Sequence, residues 1–370
     1  MRGLAPARAL ALRARLTPRA VVLIDEEGPL TAADLLDHAR TRASEDPTVA
    51  LSPAPLREIL ARICTPGAEA VILRSSGTTG APVPHPRTAP SLAQLRTGLD
   101  LARRLGMRPG RTLACAAPGE HGHGLATALG ALVLGMRLVD ITRVSPSGAH
   151  ALLSRTRPDL ISGVPVHLLD LARSGPLPIE VAVSGSDVLR EAARAELRRA
   201  GIGRIHDVYG ATETGSVSVD GTPLRGVRVR AADGLLHVRS PFTGGREIVT
   251  DRGLIDEHGR VQVLGRADGR LVTGGMMHDP SEVAELLAEL PGIAAADIDV
   301  VADARFGSRT RARVRLAAGA ALAGTGAPGL AQMLRDRVRS SLGPAAVPRE
   351  VVLEAGDEEI SSPDARPGPR

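Results

Sequence analysis

After four apolar residues, Ala70-Val71-Ile72-Leu73, the chain breaks into Arg74-Ser75-Ser76-Gly77-Thr78-Thr79-Gly80-Ala81-Pro82. An apolar run this short, bounded by turn residues, reads as a buried strand. Gly77 and Gly80 let the following backbone turn with its N–H groups facing inward, and the hydroxyls add donors. That composition suits the wrapping of a polyphosphate; a plain polar turn after a strand is the competing reading. A Walker A loop is excluded, because it needs Gly-Lys-Ser/Thr and the chain has no lysine anywhere. The strand-then-loop texture returns at 158–165 and 180–186. Between these runs, Leu92, Leu95, Leu99 and Leu101 give helical spacing over 91–107, and a small-residue helix at 125–134 separates strands at 112–117 and 137–141. An amphipathic helix is expected over 187–200. Strands alternating with helices predict a layered α/β fold.

A chain of 370 residues accommodates a large domain and a small one. Apolar residues make up 43% of it, yet Tyr209, Phe242 and Phe306 are the only aromatics, so Leu, Val, Ile and Ala must build the core. All 46 basic residues are arginine, for a net charge of +5. Nucleic-acid binding is not expected, since basic patches interleaved with stacking aromatics are missing. Cys64 and Cys115 stand apart with no metal-type spacing, which fits a reducing cytoplasm. The arginine-rich segment 1–19 lacks the continuous apolar core of a secretory signal. The apolar stretch 124–136 is too short to span a bilayer.

Near the start, 18–25 reads as a strand, followed by a helix that Thr31 caps. Residues 226–238 read as two alternating strands around the turn Ala232-Asp233-Gly234. Beyond Asp268 the texture changes. Asp279-Pro280-Ser281-Glu282 is a helix start, and Val283, Leu286, Leu287 and Leu290 make one apolar face. Strands at 298–302 and 311–316 and a helix over 330–342, closed by Gly343, complete a small α+β module. The expected organisation is a large layered α/β domain over 1–267, a small α+β domain over 268–355, and a charged flexible tail over 356–370.

Ser75-Ser76-Gly77-Thr78-Thr79-Gly80-Ala81-Pro82 resembles the phosphate loop of the adenylate-forming enzymes, the acyl-CoA synthetases and adenylation domains. Val208-Tyr209-Gly210-Ala211-Thr212-Glu213-Thr214-Gly215 is similar to that family's Tyr-Gly-x-Thr-Glu motif. Thr250-Asp251-Arg252-Gly253 and Leu264-Gly265-Arg266-Ala267-Asp268 resemble its ribose-binding aspartate and interdomain hinge. Thr273-Gly274-Gly275 and Asp279 to Val283 resemble the start of its small C-terminal domain. The Gly-Arg-Ala-Asp and Thr-Gly-Gly run is most similar to o-succinylbenzoate and aryl-acid CoA ligases.

The resemblance implies a ligase that joins a small carboxylic acid to the α-phosphate of ATP and passes the acyl group to a thiol. That thiol is CoA or the phosphopantetheine of a carrier protein. It implies that Ser75 to Gly80 cradle the phosphates, Thr212 donates to the α-phosphate, and Glu213 ligates Mg²⁺. By the same resemblance Tyr209 packs on adenine, Gly210 belongs to the nucleotide-binding set, Gly185 and Ser186 line the adenine pocket, and Asp251 accepts from the ribose with Arg266 nearby. His121, in a Pro-x-x-His-x-x-Gly segment, is expected beside the acyl group; a His-x-His metal site with His123 lacks a third ligand in sequence. Asp268 matches the hinge, and Gly274 and Gly275 would let backbone approach the thiol.

Three departures stand out. Only residues 37–74 separate the first helix from the phosphate loop, which makes the N-terminal region short for the family. Val83 takes the place of the usual lysine after the loop. The C-terminal lysine that bridges carboxylate and α-phosphate is also missing, leaving Arg366 or Arg370 as its replacement. Arginine keeps the charge on a wider planar head, and loss of one such contact costs about 3 kcal/mol in transition-state stabilisation. A nucleotide-binding relative with impaired adenylation is the alternative.

Overall fold

Thr112–Cys115, Leu160–Gly163 and Val181–Gly185 are buried at every position. Strands with no exposed face belong inside a sheet covered on both sides. In the computed structural model, which describes residues 4–42, 47–74, 84–303, 305–317 and 326–354, they lie within a nine-stranded sheet. Its spatial order is Thr222–Pro223, Gly215–Val219, Arg204–Ala211, Val181–Gly185, Leu160–Gly163, Thr112–Cys115, Arg137–Asp140, Val21–Asp25 and Gly28–Thr31. From Arg204–Ala211 to Val21–Asp25 the neighbours run parallel, and antiparallel strands close both edges.

Alternate residues of each strand point to opposite faces, and the core divides accordingly. Leu113, Leu138, Leu160 and Val183 join one apolar cluster, with Leu35, Leu60 and Leu132 from helices. Ala114, Val139, Ile161 and Ala182 join a second, with Leu168 and Leu197. The layered α/β expectation is borne out.

Two individual elements add to or correct the reading of the sequence. The arginine-rich N-terminal segment forms the helix Ala5–Leu16, which buries Leu10 and spends Arg13 on the carbonyl of Met136 at 3.0 Å. The helix expected over 187–200 starts only at Glu191, because Asp187 is used elsewhere, as shown below.

The short N-terminal region is tied back to the sheet by charge. Asp140 Oδ2 accepts the N–H of Leu56 at 2.9 Å, and Arg57 Nε donates to Asp25 Oδ2 at 2.6 Å. Helix Leu56–Ile63 is thereby fixed. Beside it Thr48–Ala50, Ala70–Arg74 and Pro84–Arg87 form a small sheet. A further antiparallel sheet contains Arg228–Ala232, Leu235–Arg239, Glu247–Ile255 and Val261–Arg266. Its first hairpin turns at Asp233 and Gly234, both at positive φ (52° and 73°), as a tight two-residue turn demands.

The chain divides into compact units at Met1–Met276 and Met277–Arg370, where the sequence reading set the boundary after Ala267. In the second unit, Ile293–Asp303, Gly307–Leu316 and Glu350–Glu354 form a three-stranded sheet. Helices Pro280–Ala288 and Gly326–Leu342 pack on it through Val283, Leu287, Leu334 and Val338. Asp279 caps the first of these helices through the N–H of Ser281 at 2.9 Å. Among the described residues, no helix is long and apolar enough to cross a membrane.

Candidate functional site

Open parallel sheets bind ligands beyond the carboxyl ends of their strands. Here those ends deliver Gly185, Ser186 and Asp187 after one strand and Tyr209 to Glu213 at the end of its neighbour. Ala117 to His123 follow a third.

Tyr209 lies half-buried on the parallel sheet, and its hydroxyl donates to Asp251 Oδ2 at 2.6 Å. Thr250 Oγ1 donates to the same oxygen at 2.6 Å. The other oxygen faces Arg266 Nη1 at 3.5 Å, and Arg266 Nη2 reaches Asp268 Oδ2 at 3.2 Å. Asp251 and Arg266 are register partners on adjacent strands, which is why their side chains share a face. Burial first, then the charge of Asp251, pushes the Tyr209 phenol well above its ordinary range, so it stays a donor. The structure thus brings Tyr209, Asp251, Arg266 and Asp268 together through hydrogen bonds and ion pairs.

Thr212 and Glu213 sit on the turn that follows. Thr214, fully buried, accepts the Ala211 N–H at 3.0 Å and donates to the Gly215 carbonyl at 2.9 Å. Ser240 Oγ donates to the Thr214 carbonyl at 2.7 Å. Arg87 donates to the Thr212 carbonyl. A side chain on Gly215 (φ +66°) would meet the Phe242 ring at 2.6 Å, and one on Gly210 would meet the Gly215 carbonyl at 2.5 Å. The turn is therefore close-packed and held from several directions, with Glu213 half-buried on it.

At Gly185 a Cβ would meet His123 Nδ1 at 2.7 Å. His123 Nε2 pairs with Ser162 Oγ at 2.9 Å, and Thr127 lies 3.2 Å from the same hydroxyl. Burial, with the neighbouring His167, pushes the His123 imidazolium down to about 4, so the ring is neutral at physiological pH. His121 is exposed at the N-cap of helix Gly122–Val133. The histidine that reaches Gly185 is the second of the pair.

Ser186 takes positive φ (66°), which turns the chain so that Asp187 accepts backbone N–H groups from Val188, Gly275 and Gly274. Gly274 and Gly275, at φ 62° and 80°, form the turn so held. A Cβ on Gly275 would also strike Val164 at 2.8 Å.

Ser75 to Gly80 and Arg366 lie outside the described residues. The sequence reading gave no separate role to Arg87, Thr250 or Asp187; it named His121 for the acyl side, and the ring that lies against Gly185 is that of His123. Asp187, two residues past Gly185, carried a local signal; Arg87, in a proline-rich stretch, carried none.

A family model described as AMP-binding enzyme matches residues 4–276. The 4-coumarate–CoA ligase of Rhodobacter capsulatus is 30% identical over 269 residues, 67% of this chain and 68% of that protein. The chloroplastic/peroxisomal 2-succinylbenzoate–CoA ligase of Arabidopsis thaliana is 44% identical over 66 residues, 18% of this chain and 12% of its own length. Among solved structures, an amide bond synthetase of Marinactinospora thermotolerans has a TM-score of 0.76 at 19% identity, covering 94% of this chain and 95% of that one. The o-succinylbenzoate CoA synthetase of Bacillus subtilis, solved with ATP and a magnesium ion, has a TM-score of 0.59 at 19% identity, with coverage of 94% and 95%. At these identities the structures speak for the fold, and the match over 4–276 speaks for the family: the chain belongs to the AMP-binding enzymes.

Proposed function

We propose that this chain is an ATP-dependent ligase that activates a small aryl or short acyl carboxylic acid as its adenylate and transfers the acyl group to a thiol. The acceptor is CoA or a carrier-protein phosphopantetheine, and the setting a reducing cytoplasm. In the first step a carboxylate oxygen bonds to the α-phosphorus and the bond to the β-phosphate oxygen breaks, releasing pyrophosphate. In the second, the thiol sulfur bonds to the acyl carbon, AMP leaves and the thiol proton passes to solvent. Most of the rate enhancement in such a reaction comes from positioning and charge stabilisation.

The observation that carries the reading is the Tyr209–Asp251–Arg266 cluster standing beside the braced Thr212–Glu213 turn. Asp251, oriented by Tyr209 and Thr250, is the acceptor for ribose hydroxyls, and the ring of Tyr209 the wall for adenine. Thr212 is the donor for the α-phosphate. Ser75 to Gly80 are assigned to the outer phosphates and Gly185 to the adenine edge, where any side chain would strike His123. Glu213 fits Mg²⁺, which takes one or two carboxylates and completes its shell with phosphate and water; bound there, the ion would neutralise charge on the departing pyrophosphate. Asp268 is the pivot for the second unit, Gly274 and Gly275 the thiol side, and Arg366 the entering cation.

ATP–pyrophosphate exchange against a panel of aryl and short acyl acids tests the proposal. Exchange with at least one acid is expected, and its loss in Arg366→Ala would assign that side chain. No exchange with any acid, while AMP still binds, would favour the second reading: a nucleotide-binding protein that no longer adenylates. The specific observation behind that alternative is the complete absence of lysine.

A further inference from the structure

Among the described groups that brace the turn at 211–215, Arg87 is the cation. It closes strand Pro84–Arg87, and its Nη2 donates to the Thr212 carbonyl. Its guanidinium carbon lies 5.9 Å from the centre of the Phe242 ring, the same ring that packs on Gly215. The side chain is half-buried. Among the described residues no carboxylate comes within ion-pair distance of it, although the charge of Glu213 is felt there.

A guanidinium offers five N–H donors in one plane. Anchoring to Thr212 uses the Nη2 end, which leaves a fixed, partly desolvated cation beside the residue assigned to the α-phosphate. In a chain without lysine, arginine is the side chain able to present a permanent positive charge to phosphate oxygens, and its planar fork matches them in pairs. Resting on the adenylation reading, we propose that Arg87 is a phosphate-binding residue: one end holds the Thr212 carbonyl and the other takes the polyphosphate of ATP.

Two roles are separable. A purely structural brace would affect ATP and adenosine alike, whereas a phosphate contact acts on ATP alone. The test is titration of wild type, Arg87→Gln and Arg87→Lys with a fluorescent ATP analogue, with ATP and adenosine as competitors. Arg87→Gln is expected to weaken ATP by roughly tenfold or more with adenosine changed less than about twofold, and Arg87→Lys to recover part of the loss. Equal losses for both ligands, or no loss for either, would overturn the assignment.

A measurement without variants guards against misfolding. Phenylglyoxal modification of the wild-type protein, mapped by mass spectrometry, is expected to spare Arg87 in the presence of ATP but not of adenosine. Equal modification with and without ATP would overturn the proposal. A wild-type protein that binds neither ATP nor adenosine would instead overturn the adenylation reading beneath it.

Discussion

The only tyrosine in the chain, Tyr209, donates its hydroxyl to Asp251 Oδ2 at 2.6 Å, joining the large parallel sheet to the antiparallel one. Asp251 is 5% exposed, so this bond and that from Thr250 set its orientation before any nucleotide arrives. Tyr209→Phe leaves the ring and removes the bond. It should cost about 1–2 kcal/mol in stability, read by urea denaturation, and weaken adenosine binding at the same time. Unchanged adenosine affinity would separate the tyrosine hydroxyl from the nucleotide site.

Gly210 has no room for a methyl group, since its Cβ would lie 2.5 Å from the Gly215 carbonyl and 2.9 Å from Ser216 Cα. Both obstacles are backbone and cannot rotate away. Gly210→Ala should destabilise by about 2–4 kcal/mol and displace the Thr212–Glu213 turn. Gly259→Ala is the control: φ is +73° with open space around it, so the cost should be the backbone conformation alone, about 1–2 kcal/mol. Equal unfolding midpoints for the two variants would contradict this ordering.

Burial pushes the Asp187 carboxyl up to about 6 from 3.8, against backbone N–H groups of Val188, Gly275 and Gly274 and the charge of Arg190. The native state thus holds this proton to higher pH than the unfolded chain does. The associated stability is fully present below about pH 4 and is lost as pH rises through about 6. Asn keeps an acceptor without the charge. The stability of Asp187→Asn relative to wild type should therefore rise by roughly 1–3 kcal/mol between pH 4 and 7, measured by urea unfolding across that range. Asp207, also raised to about 6 by burial, preserves part of the slope in the variant.

Cys64 and Cys115 are 2% and 0% exposed, and burial pushes each thiol up to about 12. Thiolate is the reactive form, so Ellman's reagent at pH 8 should find essentially no thiol in the native protein and both in urea. Rapid native labelling of either residue would show that its helix or strand opens far more readily than its packing indicates.

The sheet was legible because doubly buried strands are written as short apolar runs, and because the position of a strand's end in such a sheet follows from topology alone. Tyr209, Asp251 and Arg266 were reachable as pattern elements. Arg87 was not: its partner, Thr212, lies 125 positions away, and nothing in its neighbourhood marks it. The helix Ala5–Leu16 was hidden by its arginines, which mask the apolar side that buries Leu10. Asp187 looked like the first residue of a helix; its carboxylate is instead committed to the Gly274–Gly275 turn, and the helix waits for Glu191. His121 is the N-cap of the helix and His123 lies in its first turn, a difference of direction that spacing alone does not assign.

The bracing of the Thr212–Glu213 turn has a kinetic side. Its supports come from position 87, from within the turn, and from 240–242, and they meet only after long loops have closed, a slow class of event. A partly folded chain can hold its buried strands and still lack this corner. Nucleotide affinity should accordingly appear last during refolding, after the far-ultraviolet dichroism has recovered, and so serve as a clock for completion of the native state.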